Sequence, residues 1–218
     1  STQSRSSAAS DVYKRQPPEW IHVVPNGADE RFARADPRPF AQRAGVRDFV
    51  LCAGRIERRK GQLVLLRAMR GLGVPIVVLG DPVPGHEDYL RACRRAAGPN
   101  VQFVPRIAHG DPLLASAYAA CACLVLSSWF ETPGLAALEA GMQGAPLVLP
   151  DTGAAREYFG EHALYVRPGD ARGLRWAVRA AMARGRDPLL ATLVRRHYTW
   201  KAAAEATRQA YWRVLGDG

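Results

Sequence analysis

The chain has 218 residues, 48% of them hydrophobic, and 30 Lys and Arg against 20 Asp and Glu, for a formal charge of +10. That length can bury one sizeable core with an appendage, and no run approaches the roughly 20 apolar residues of a helical membrane span, which excludes a helical channel or carrier for these residues. The charge admits nucleic acid, an anionic membrane surface or an anionic substrate as partner.

Residues 1–16, STQSRSSAASDVYKRQ, are polar and serine-rich with no apolar periodicity, and are expected to be a disordered or non-native leader outside the fold. Nothing near the start reads as a secretory signal. Residues 17–48 read as a linker: a short apolar run and a Pro-Asn-Gly turn within 21–32, then a proline- and arginine-rich loop with room for one helical turn.

From Phe49 the pattern becomes regular. Apolar runs predict strands at 49–54, 75–80, 101–104, 123–126, 146–149 and 163–166. Helices are predicted between and after them at 62–70, 87–97, 113–121, 133–143, 154–159, 174–184 and 202–215. Strands alternating with helices imply an α/β domain over 49–218, a Rossmann-like parallel sheet with helices on both faces and right-handed crossovers. Ligands of such sheets bind beyond the carboxyl ends of the strands, here after Gly54, Gly80, Val104, Ser127 and Pro150.

Two of those ends carry chemistry. Gly54-Arg55-Ile56-Glu57-Arg58-Arg59-Lys60-Gly61 leaves a strand and enters a helix without the order of a Walker loop. Arg55 offers a bidentate fork and Lys60 a compact charge, a pair suited to the two phosphates of a diphosphate, although a solvated basic loop would read the same way. Lys60 is also the only lysine between residues 15 and 200. The second end is Trp129 to Gly144, WFETPGLAALEAGMQG. There Thr132 is expected as a helix N-cap and Pro133 as the first helical residue, and the unpaired N–H groups of a helix start collect phosphates. Glu131 stands just before that helix and Glu139 eight residues on, about 12 Å along a continuous helix. Carboxylates so placed can accept hydrogen bonds from sugar hydroxyls on either side of a bound phosphate.

Weaker signals surround these. Gly80-Asp81-Pro82, Arg106 with Ile107, and Asp151-Thr152-Gly153 each follow a strand. His86 and His109 read as loop residues at the surface, without a metal-ligating partner. Cys52, Cys93, Cys121 and Cys123 form no C-x-x-C pair and read as reduced structural thiols of an intracellular protein. Nearly all the positive charge is arginine, spread over predicted helices with no nucleic-acid motif. It reads as solvated helix faces, with anionic lipid or a nucleotide diphosphate as the alternative.

The string E-TPGLAAL-E followed by AGMQGAPLVLPDTGAAREYF, together with G-R-x4-K-G at 54–61, resembles the donor-binding domain of retaining glycosyltransferases of family 4, the glycosyl transferases group 1 type. The resemblance runs over roughly 20–215 and implies the C-terminal half of a GT-B enzyme, its acceptor-binding domain missing or carried by a partner chain. It implies a sugar transferred from a UDP-, GDP- or ADP-linked donor to an acceptor hydroxyl with retention, with no cofactor, no catalytic metal and no specific nucleic acid. It places Arg55, Lys60 and Glu131 in catalysis, the last on the donor sugar, Glu139 on the ribose, and Gly54, Arg106, Ile107, Thr132, Pro133, Gly134 and Leu135 around the donor. The C-terminal helix is expected to close back across the domain junction through Trp200, Tyr211 and Trp212. A cytoplasmic place is implied, with peripheral attachment to the inner face of a membrane compatible with the charge. A non-enzymatic nucleotide-sugar-binding module and a nucleic-acid or lipid-surface protein remain as other readings.

Overall fold

The computed structural model describes residues 21–216; the expected leader at 1–16 lies outside the described residues. Six parallel strands form one sheet in the order β3-β2-β1-β4-β5-β6: β1 Val50–Ala53, β2 Ile76–Leu79, β3 Val101–Val104, β4 Cys123–Val125, β5 Leu147–Pro150 and β6 Ala163–Val166. Every residue of β1, β2, β4 and β5 is buried, which is why these strands read as continuous apolar runs rather than alternating ones. The register pairs Val50 with Ile76 on one side and with Cys123 on the other.

The helices are α1 Arg38–Ala44, α2 Gln62–Ala68, α3 Glu87–Ala96, α4 Pro112–Ala120, α5 Leu135–Gly141, α6 Ala155–Phe159, α7 Ala171–Arg184, α8 Pro188–His197 and α9 Trp200–Gly216. Helices α2, α3 and α7 cover one face of the sheet, where Leu65, Cys93 and Val178 pack against Val50, Val78 and Val125. Helices α1, α4, α5 and α8 cover the other, where Phe40, Tyr118, Leu138 and Val194 meet Leu51, Leu124 and Leu149. A fully buried Phe32 belongs to that second core. It sits in a 3-10 turn, Glu30–Ala33, capped by the Asp29 carboxylate.

The strand order reverses between β1 and β4. The chain builds outward through β2 and β3, then returns to the centre and builds the other way through β5 and β6. Loops leaving adjacent strands at such a reversal part to opposite faces and open a crevice at the carboxyl ends. The β1–α2 and β4–α5 loops flank that crevice.

Three expectations need correcting. The helix expected over 133–143 spans only Leu135–Gly141, and its N-cap is Gly134 at φ 82°, not Thr132. Thr132 is exposed and Pro133 is buried in the loop before it. Helix α8 was not expected, and α1 replaces a loop with a seven-residue helix. Tyr211 and Trp212 of α9, expected to anchor that helix across a domain junction, are 65% and 68% exposed among the described residues.

Candidate functional site

The β1–α2 loop is drawn onto the end of β4 by backbone contacts. The Trp129 amide donates to the Arg59 carbonyl at 2.9 Å, and the Ser127 hydroxyl donates to the Lys60 carbonyl at 3.2 Å. Gly61, at φ 67°, permits this approach, because a Cβ there would lie 2.0 Å from the Ser127 carbonyl oxygen. The Lys60 side chain is thereby aimed at Glu131, its ammonium 2.6 Å from Oε1. The Lys60 and Glu131 side chains are 19% and 6% exposed. The Ser128 hydroxyl donates to the same oxygen. Glu131 is fixed from behind as well: the Ala154 amide donates to its carbonyl at 3.3 Å, and a Cβ on Gly153 would come within 1.9 Å of that oxygen. Breaking such a pair would leave a charge with little water around it, so each side chain holds the other in the crevice.

Glu139 is the second buried carboxylate, 7% exposed in the second turn of α5. The Tyr118 hydroxyl of α4 donates to its Oε2 at 2.7 Å. His109 Nδ1 stands 3.6 Å from Oε1. The Phe32 ring lies against both partners, 5.2 Å from the His109 ring and 5.7 Å from that of Tyr118. Burial is the main influence on Glu139 and pushes its carboxyl up to about 7; the Tyr118 hydrogen bond and Arg31 act the other way, and Asp29 adds to the rise. Burial, then the Glu139 charge, pushes the Tyr118 phenol well up, so it remains a donor.

Beside these groups a cavity of about 440 Å³ opens over the ends of β1, β2 and β3, lined by Gly54, Arg55, Asp81, Arg106, Ile107 and Tyr118 among others. A larger hollow of about 660 Å³ lies at the amino ends of the strands, between Asp48 and Ala122. Its Arg186 guanidinium is already engaged by the carbonyls of Tyr118, Cys121 and Gln143, and no carboxylate pair converges there. The smaller cavity adjoins the charged groups through Tyr118, which holds Glu139, and through Gly54, beside the Lys60 side chain.

Of the residues singled out from sequence, Lys60, Glu131 and Gly134 meet in one place. Gly134 would bring a Cβ to 3.5 Å from Glu131 Oε2. Arg55 is displaced from them: its side chain is 66% exposed and lies 3.3 Å from Glu57, which also receives Arg59. The Arg106 amide donates to Asp81 while its side chain is exposed, and Ile107 packs half-buried on the core. Leu135 opens α5 and is 45% exposed. The 12 Å between the two glutamates assumed continuous helix, which holds only from Leu135 onward.

Three contributors escaped the sequence reading. Ser128 gave no signal beyond following a strand. Tyr118 did give one: a phenol among the apolar and small residues PLLASAYAA needs a buried partner. His109 is the exposed loop residue it was read as, and its place beside Glu139 is what the sequence did not show. All four cysteines are free and buried, and burial pushes Cys52 and Cys121 up to about 12, which leaves them inert thiols.

The family model described as glycosyl transferases group 1 matches residues 47–184. A glycogen synthase of Mycobacterium tuberculosis is 32% identical over 206 residues, covering 88% of this chain and 48% of that protein. A D-inositol 3-phosphate glycosyltransferase of Stackebrandtia nassauensis is 31% identical over 235 residues, covering 96% of this chain and 52% of that protein. The chain thus spans about half the length of the curated relatives it matches. The structure of Anabaena Alr3699/HepE in complex with UDP and glucose superposes with a TM-score of 0.76 at 19% identity, over 97% of this chain and 61% of that one. That likeness places the sheet and its helices as one Rossmann-like half of a GT-B architecture.

Proposed function

The chain belongs to the glycosyl transferases group 1 family, and from that premise we propose that it is the C-terminal, donor-binding domain of a retaining family 4 enzyme. It would take a sugar from a nucleotide sugar and pass it to an acceptor hydroxyl held by a second domain. The observation that carries this reading is the buried Lys60–Glu131 pair at the reversal of strand order. Without a ligand the two charges satisfy each other. A diphosphate entering the crevice gives the ammonium a second anion, and the donor sugar gives the carboxylate hydroxyls to accept from.

The remaining groups fit around that centre. Arg55, exposed at its loop edge beside Glu57, would turn to the diphosphate as a bidentate partner. With Lys60 and the N–H groups of Gly134 and Leu135 it would stabilise the charge that grows on the leaving diphosphate as the sugar bond breaks. No metal is invoked for that step. Glu139, held by Tyr118, would accept from the ribose hydroxyls, and the 440 Å³ cavity past Arg106 and Ile107 would take the base. UDP, GDP and ADP donors all remain candidates; the UDP bound by the Anabaena neighbour favours trying UDP first.

Calorimetric titration with UDP, GDP, ADP and their sugars tests the proposal. At least one should bind, and Lys60→Ala should weaken it by about 1.5–3 kcal/mol, the worth of a charge-assisted hydrogen bond. Absence of binding by every ligand at millimolar concentration to folded protein would refute it.

A further inference from the structure

The two helical layers differ in charge. The 7, 10 and 14 residues of α2, α3 and α7 hold eight arginines and two carboxylates. Both carboxylates, Glu87 and Asp88, stand in the first turn of α3, and Asp88 is already paired with Arg58. Helix α7 has no acid along its length. Arg175 turns inward to the carbonyls of Ala68 and Arg70. By contrast Arg91, Arg95, Arg172 and Arg179 are exposed, and none takes part in an ion pair among the described residues.

Between the last two stands Trp176, 66% exposed. Positions 172, 176 and 179 are spaced i, i+4 and i+7 and share one side of α7, so the solvent side of an acid-free helix reads arginine, tryptophan, arginine. Trp129 borders the crevice and Trp200 and Trp212 belong to α9, whereas Trp176 has neither setting. Water is a poor neighbour for an indole, and an arginine-rich composition accounts for the charge but not for the ring between the charges.

We propose that the α2–α3–α7 face docks on an anionic lipid bilayer, with Arg172 and Arg179 on lipid phosphates and Trp176 at headgroup depth. Guanidinium groups match phosphate oxygens, an indole favours the membrane–water interface, and each basic side chain near an anionic leaflet adds attraction. The helices run along the flank of the sheet, antiparallel to the strands. Docking by this flank leaves the carboxyl ends, with Lys60 and Glu131, uncovered. The inference is independent of the donor site.

Co-sedimentation of the 218-residue chain with vesicles tests it. The chain should bind phosphatidylcholine mixed with phosphatidylglycerol, and not phosphatidylcholine alone. The double variant Arg172→Gln/Arg179→Gln should bind at least about tenfold more weakly, at roughly fivefold per arginine. Trp176→Ala should also weaken binding, and the emission of the wild type should shift blue on mixed vesicles only while Trp176 is present. Arg43→Gln/Arg196→Gln, the same charge change on exposed residues of the opposite layer, should bind as the wild type does. Nucleotide affinity should be the same in all variants. Absence of binding to mixed vesicles, equal binding to both kinds, equal loss in the Arg43/Arg196 control, or retention by duplex DNA but not by vesicles would each overturn the proposal.

Discussion

Glu139 is a carboxylate kept out of water, and the consequence is measurable. Its pKa is raised from the usual 4.5 to about 7 chiefly by burial. Between those values the folded chain holds a proton that the unfolded chain has released, so stability falls as pH rises through that window and stays lower above it. Glu139→Gln removes the penalty. The variant should be more stable than wild type at pH 8 by about 3–4 kcal/mol, from a shift of between two and three units at about 1.4 kcal/mol each, and no more stable near pH 4. Urea melts at the two pH values make the comparison; an equal difference at both would show that Glu139 ionisation is not its source. At this scale, residue types were legible from sequence and partners were not. Lys60 and Glu131 stood out by type and place. Their 2.6 Å contact depends on two loops 71 positions apart being tied by Trp129 and Ser127, which no local pattern contains.

At the scale of elements, the strands were legible because burial on both faces writes them as unbroken apolar runs. The ends of helices were less so. Thr132-Pro133 has the local chemistry of a helix start, yet the helix waits until Leu135. Tertiary contact overrides local preference here: Glu131 is drawn to Lys60 and its carbonyl to Ala154, so the backbone through 131–134 follows those anchors. Helix α8 was missed although Asp187-Pro188 is a sound cap and first residue, with the Asp187 carboxylate accepting from the Leu189 and Leu190 amides. The same anchoring yields a prediction. Gly153→Ala would place a methyl 1.9 Å from the Glu131 carbonyl oxygen, at φ 70°, so backbone must move. The variant should lose about 1–3 kcal/mol of stability and bind nucleotide sugar more weakly than a chain destabilised equally elsewhere. Unchanged stability and affinity would show that the Glu131 loop is not held from that side.

At the scale of the whole molecule, the alternation of strands and helices implied the parallel sheet, while the order β3-β2-β1-β4-β5-β6 and so the position of the crevice came only with the structure. The relatives matched here are about twice as long. A domain that binds a donor but does not hold an acceptor lacks the juxtaposition that can supply roughly 7–11 kcal/mol to a two-substrate reaction. The purified 218-residue chain should therefore bind donor without transferring sugar at a useful rate, and robust turnover by it alone would contradict the proposed division of labour.

The central claim is that Glu131 and Glu139 serve different parts of one nucleotide sugar, and parallel titrations test it most directly. The free nucleotide and its sugar conjugate are titrated into wild type, Glu131→Gln and Glu139→Gln. Glu139→Gln should weaken both ligands by similar factors. Glu131→Gln should leave the free nucleotide nearly unchanged and abolish any added affinity that the sugar confers. Equal effects of Glu131→Gln on both ligands would remove it from the sugar, and no effect of either substitution on either ligand would contradict the whole account of the site.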